Sequence, residues 1–312
     1  VFLKNLKKWG FKINEYNKVL SNLKDVYTVL DILIYNESLY ISYIYKKSDC
    51  NYLRISKSEL KTTPLSFRNK YESEKCVGEL QAASMQNYKH NGNEGILIST
   101  SIHTSKNIEL AQDLNSILGK ILFLDISTNK ISIFSYGHRS PQGLLAMKNV
   151  IISTEHGPIG GDEINLNKLT TERILNFGWP KASYGDHYTS EKEKRYTLAP
   201  LYKNHIKHGY EEPLIYYIPS IAISEIENVN DLFSTSDNKL EDYFVGSLGK
   251  DLKNGQLSIH HLKIDYKKPE IIKYDIIRIR ERIRDIKYLK ELNLVLMFLE
   301  SSGSIGILKK IQ

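Results

Sequence analysis

The chain has 312 residues and a formal net charge of +7, from 43 basic and 36 acidic side chains. That length buries a substantial core and permits one large all-β domain or two smaller ones. No apolar run reaches about 18 residues, so no transmembrane segment is expected. The charge excess is interleaved with acids, as in Glu191-Lys192-Glu193-Lys194-Arg195. No basic cluster falls on a recognisable reading motif, so nucleic acid is not an expected partner.

In chain order, residues 1–25 form a basic segment whose Leu3, Leu6, Trp9 and Phe11 give an imperfect helical face. It opens at Val1 rather than Met, which suggests a mature or truncated product. From Val26 short apolar runs recur: Asp31–Tyr35, Leu39–Tyr43, Gly95–Ile98, Lys120–Leu124, Ile131–Phe134, Val150–Ile152, Asp242–Val245, Leu257–His260 and Leu294–Phe298. Each is bounded by residues such as Asn, Gly, Asp, Ser or Lys, the pattern of many short antiparallel strands in a sandwich, barrel or propeller. Helical periodicity otherwise shows only around 105–118. Cys50 and Cys76 lack the local partners of a zinc site. They either pair, closing a loop of about 25 residues for roughly 3 kcal/mol in the chain-entropy model, or remain two buried thiols.

Three blocks rich in Gly, Pro and polar residues interrupt the strand pattern. They are Gly137-His138-Arg139-Ser140-Pro141-Gln142-Gly143, the longer Thr154-Glu155-His156-Gly157-Pro158-Ile159-Gly160-Gly161-Asp162-Glu163-Ile164-Asn165, and Asn176-Phe177-Gly178-Trp179-Pro180. Loops gathered at one end of a rigid scaffold are where binding groups concentrate. Gly157-Pro158 reads either as a tight turn or as two backbone carbonyls aimed at a hard cation. Asp162 and Glu163 read as an acid–base pair or, more often for such a pair at a strand start, as acceptors for backbone amides or a neighbouring Arg. Arg282 and Arg284 are two apart, so on a strand they share a face. They read as a ligand clamp or as a charged edge.

The order and wording of these blocks resemble the soluble quinoprotein sugar dehydrogenases, the glucose/sorbosone dehydrogenase family. The resemblance covers about residues 26–311 and is strongest over 111–224. It implies an all-β fold, a β-propeller of six-bladed ancestry over residues 26–312, with residues 1–25 as a partial first blade or an extension. It also implies pyrroloquinoline quinone and calcium as cofactors and a small-molecule sugar as substrate. An exported location, periplasmic or secreted, goes with it. By the family's pattern the carbonyls of Gly157 and Pro158 hold the calcium. Arg139, Ser140, His156, Arg282 and Arg284 contact the quinone, and the guanidinium groups suit its carboxylates.

Three positions depart from that pattern. Ser140 stands where the family usually has Asn, and the family's Lys after Ser-Leu is displaced to Lys250. The family's general-base His falls near Leu80 before Ala82-Ala83-Ser84, or at Cys76 in a looser alignment. Neither residue is a suitable base, so no catalytic residue is assigned. His103, His187 and His205 are candidate substitutes, although such histidines are more often surface residues. The expectation is therefore a sugar dehydrogenase-like protein, with a catalytically degenerate propeller that binds a carbohydrate, a small anion or a protein as the alternative. The sequence ahead of Leu30-Asp31-Ile32-Leu33 is also shorter than the family's, which points to an incomplete first blade or fewer blades.

Overall fold

The computed structural model describes residues 22–62, 64–78, 80–102, 107–147, 150–168, 173–188, 198–233, 240–265 and 268–309. The amino-terminal helical face, His103 and the Glu191–Arg195 run lie outside them. The described residues form five sheets fanned in chain order, antiparallel apart from one short edge strand. The first contains β1 (Val26–Tyr35), β2 (Ser38–Lys47), β3 (Cys50–Glu59) and β4 (Arg68–Glu72). The second contains β5 (Met85–His90), β6 (Asn93–Thr100), β7 (Lys120–Asp125) and β8 (Ile131–Tyr136). The third is built on β9 (Pro141–Met147), β10 (Val150–Glu155) and β11 (Asp162–Lys168).

After β11 the chain adds β12 (Leu175–Asn176) in parallel to β8, then returns as β13 (Ile215–Tyr217) to edge the third sheet. The fourth sheet is β14 (Ile223–Asn228), β15 (Leu240–Ser247), β16 (Ser258–Asp265) and β17 (Glu270–Arg278). The fifth is β18 (Ile283–Leu289), β19 (Leu294–Leu299) and β20 (Ser304–Lys309). Each of the nine apolar runs lies on one of these strands, apart from Leu257, which just precedes β16. Among its described residues, the 105–118 segment supplies a short 3-10 turn at Ile108–Ala111.

This is a β-propeller, but the described residues make five sheets rather than the six of the family's ancestry. Residues 22–25 lead directly into β1, and the last sheet has three strands, so no described strands are left to build a sixth.

Period-two alternation explains why the sheets stack face to face. On β2, Tyr40 and Ile44 enter the core shared with the second sheet, whereas Ile41 and Tyr43 enter the opposite cluster. On β7, Leu122 and Leu124 face the first sheet, and Ile121 and Phe123 face Leu144 and Ile151 of the third. Residues i and i+2 share a face, so a strand between two neighbouring sheets is apolar on both. Each fully buried Ile or Leu contributes about 1.5–3 kcal/mol relative to exposure.

The first strand of each sheet lies innermost: β1 packs on β5, β5 on β9, β9 on β14 and β14 on β18. Because strands alternate in direction, the β8–β9, β10–β11, β13–β14, β15–β16, β17–β18 and β19–β20 connections emerge at one end. Cys50 and Cys76, at that end of the first sheet, are disulfide-bonded with their Cα atoms 5.5 Å apart.

Candidate functional site

Two buried carboxylates hold the loops at this end. Glu155 closes β10. Its Oε2 meets Nδ1 of the fully buried His138 at 3.0 Å, and its Oε1 accepts from the backbone N–H groups of Arg139 and, at 3.3 Å, Ser140. Asp162 opens β11. Its Oδ1 accepts from the Gly157 N–H at 3.1 Å and the Ser220 hydroxyl at 2.9 Å, and its Oδ2 from the Ile223 N–H at 3.1 Å. Acceptance from three donors is the structural role expected for this pair. Glu163 is likewise no exposed acid: it lies buried beside the Asn165 amide, and burial, reinforced by the Glu155 charge, raises its pKa well above the usual carboxylate range.

Glycine is required at two points of the 156–161 turn. A Cβ on Gly157 would sit 2.1 Å from the Gly161 carbonyl oxygen, and one on Gly161, which has φ +68°, would sit 2.2 Å from the Gly185 nitrogen. The turn therefore folds back on itself and is pinned from below by Asp162.

Above these loops lies a cavity of about 540 Å³, within the usual range for a small-molecule site. Its wall includes Arg139, Ser140, His156, Gly157, Pro158, Arg282 and Arg284, all seven of the cofactor and metal positions inferred from sequence. Arg139 is only 6 % exposed and lies 5.3 Å from the centre of the Trp179 ring. One of its Nη groups donates to the His156 carbonyl at 3.0 Å, while its Nε is buried without a partner among the described residues. Burial lowers its pKa, offset by the Tyr188 phenol and the charges of Glu155 and Asp162. Arg139 thus lines the cavity while its Nε stays buried without a partner among the described residues, an arrangement that calls for an explanation.

The His156 Nε2 is 2.6 Å from the Ile223 carbonyl, so it carries the proton and donates. Burial lowers its pKa and keeps the ring neutral. Among the described residues no group of three or more His, Cys, Asp or Glu is arranged to hold a metal. A cation here would rest on the backbone carbonyls of Gly157 and Pro158.

The departures also have positions. Leu80 is a core residue, and Cys76 is in the disulfide. The residue of that turn reaching the cavity is Gln81, one position on. Its side-chain amide has no proton-accepting nitrogen or carboxylate, so Gln81 is not itself a base. Leu248 and Gly249 line the cavity, whereas Lys250 is exposed and does not. His187 bonds the Ala199 carbonyl at 2.7 Å, outside the cavity wall. His205 is 1 % exposed and stacked on Tyr184, which corrects the surface reading: the aromatic pair covers it.

The model of the family described as Glucose / Sorbosone dehydrogenase matches residues 21–308. The aldose sugar dehydrogenase YliI of Escherichia coli strain K12 is 34% identical over 154 residues, which cover 44% of this chain and 38% of that protein. An uncharacterised protein of Synechocystis, slr1608, is 31% identical over 160 residues, covering 50% of this chain and 33% of its own. These matched stretches thus span well under half the length of either relative. Among solved structures, the soluble aldose sugar dehydrogenase of Escherichia coli in its apo form superposes with a TM-score of 0.71 at 20% identity, over 93% of this chain and 86% of that one. A glucose dehydrogenase superposes with a TM-score of 0.70 at 19% identity, over 91% and 82%. At such identities the superpositions establish the fold, and the family match extends over most of the chain: it belongs to the glucose/sorbosone dehydrogenase family.

Proposed function

We propose that this protein binds pyrroloquinoline quinone with calcium in the 540 Å³ cavity and presents it to an aldose. The observation carrying this reading is the convergence of Arg139, Arg282 and Arg284 on one cavity, with the Arg139 Nε unsatisfied and the Gly157-Pro158 turn in the same wall. Three guanidinium groups match an acid bearing several carboxylates. The backbone carbonyls of Gly157 and Pro158 would hold the calcium, a hard cation suited to oxygen ligands. When bound, the quinone supplies the redox chemistry, accepting hydride from the sugar C1; the protein supplies binding, orientation and electrostatics. The family's export to the periplasm or outside the cell fits a chain with a disulfide, which persists in oxidising compartments.

A second reading is favoured by Gln81. With an amide on the cavity wall next to Leu80, near which the resemblance puts the family's base, the site binds its ligands without efficient turnover, as a degenerate propeller. General bases typically contribute about 10²–10⁴-fold, so losing one suppresses reaction far more than binding.

Calorimetric titration of the purified protein with pyrroloquinoline quinone in calcium, followed by dye reduction with a sugar panel, separates these readings. Calcium-dependent binding with turnover supports the dehydrogenase. Binding without turnover supports the degenerate site. Absence of binding by the folded chain overturns the cofactor assignment.

A further inference from the structure

Arg282 and Arg284 do not stand alone in the cavity wall. Arg282 immediately precedes β18 and Arg284 lies on it; Glu300 immediately follows β19, the paired strand. The β18–β19 register slips between Ile283 and Asp285, leaving Arg284 as the extra residue of a bulge. Bulges re-aim side chains, and here both guanidinium groups are brought to the same carboxylate. Oε1 of Glu300 accepts from Nε and Nη2 of Arg282 at 3.1 and 3.0 Å. Oε2 accepts from Nε of Arg284 at 2.6 Å and from its Nη2. The Glu300 N–H also donates to the Arg282 carbonyl at 2.8 Å, so the carboxylate is fixed to the strand that carries its partners. Arg282 is held from a third direction, its Nη1 donating to the Gly249 carbonyl at 3.1 Å.

Both arginines line the cavity, and Glu300 does not. The carboxylate therefore holds two guanidinium side chains of the cavity wall from a position that is not itself part of that wall. From this geometry we infer that Glu300 is a positioning residue: one carboxylate holds Arg282 and Arg284 in register as a preorganised receptor for an anionic ligand. As a ligand assignment, the inference rests on the quinone reading above; as a side-chain clamp it does not.

Two effects oppose each other when Glu300 is removed. The wall gains positive charge, which favours an anion. Against this, two like-charged, partly exposed side chains are released into solvent, and a ligand must order both. Charge attraction at partly exposed positions is screened, so the ordering cost dominates and affinity falls.

The test compares wild type, Glu300→Gln and Glu300→Ala with two readouts. The first is nitrogen-15 NMR of the arginine Nε–H groups in the apo-protein. Wild type is expected to show slowly exchanging Nε–H signals for Arg282 and Arg284, assigned by Arg→Lys replacement, and Glu300→Ala is expected to lose both. Their persistence in Glu300→Ala overturns the clamp. The second readout is the calorimetric Kd for pyrroloquinoline quinone in calcium, with the melting temperature as a folding control. Glu300→Ala is expected to weaken binding at least about tenfold, with Glu300→Gln intermediate. An unchanged Kd overturns the positioning role and reduces Glu300 to a surface ion pair; tighter binding also overturns it and makes Glu300 a competitor for the ligand. If wild type binds no quinone, the cofactor reading fails on its own account, and the apo-protein signals still decide the clamp.

Discussion

Asp162 accepts a hydrogen bond from the backbone N–H of Gly157, five residues earlier, and so fixes a turn that lines the cavity. The same carboxylate reaches Ser220 and Ile223, tying the third sheet to the start of the fourth. Hydrogen bonds to a charged group are each worth about 1.5–3 kcal/mol, and losing one partner strands the other. Asp162→Ala is therefore expected to cost about 3–5 kcal/mol in urea unfolding. Asp162→Asn keeps one acceptor oxygen and should cost less. If both variants unfold like wild type, the turn is held by its glycines alone.

Arg139 makes a contrary prediction. It is buried, its Nε has no partner among the described residues, and its desolvation is only partly offset by Glu155, Asp162 and Tyr188. If Arg139 serves a ligand, as proposed, the fold does not depend on its charge, and apolar replacement of buried ions is often neutral or stabilising. Arg139→Met is thus expected to leave the melting temperature equal or higher while weakening quinone binding at least about tenfold. Arg139→Lys should bind nearly as poorly, because an ammonium group cannot reproduce the planar fork. A large drop in melting temperature with unchanged affinity would mark Arg139 as structural.

How much of this was legible in the sequence follows from how each feature is encoded. Runs such as Gly95–Ile98 and Lys120–Leu124 carry their strand identity in β-branched and aromatic residues, and they lie on β6 and β7. The 137–143 and 155–165 loops were legible because their glycines and prolines are contiguous. The sheet count was half legible: the short stretch ahead of Leu30 pointed to an incomplete first blade or fewer blades, whereas a two-residue strand such as Leu175–Asn176, which extends the second sheet, has no periodicity to read. No periodic pattern runs through residues 73–84, so the sequence does not show that Leu80 packs into the core while its neighbour Gln81 lines the cavity. Glu300 was missed for another reason: it meets Arg282 and Arg284 only through the bulged β18–β19 register.

The innermost strands carry a further consequence for pH. Burial raises the Asp31 carboxyl to about 7, opposed by hydrogen bonds from the Met85 and Ile32 N–H groups and reinforced by the charge of Asp285. In the unfolded chain an Asp titrates near 3.9. The folded state therefore binds more protons between those values, and this group's contribution to stability is intact below about 4 and is lost as pH rises through about 7. Burial lowers His260 to about 4, and that group acts in the opposite sense, losing stability as pH falls below the ordinary histidine value. The comparison must therefore be between variant and wild type. Asp31→Asn is expected to be the more stable protein at pH 8, on the order of 1–2 kcal/mol given partial screening, with the advantage vanishing near pH 4. Parallel stability curves for the two proteins would show that Asp31 titrates normally.

Gln81 decides between the two readings of function. It lines the same cavity as Arg139, and its backbone N–H donates to the Ser101 hydroxyl oxygen at 3.0 Å, so the turn is already held in place. Gln81 is exposed on the cavity rim, leaving room for a ring of similar reach. Imidazole titrates near neutrality, which is the property the amide lacks. If the cavity holds quinone and sugar productively and wants only a base, Gln81→His should raise dye-coupled sugar oxidation by about 10²-fold or more, with quinone affinity changed little. The gain should appear as pH rises through the imidazole pKa, because only the neutral ring accepts the proton. A variant that binds quinone as wild type does and still turns over no faster would show that the sugar is not presented at this rim, and the propeller would then be read as a binding protein.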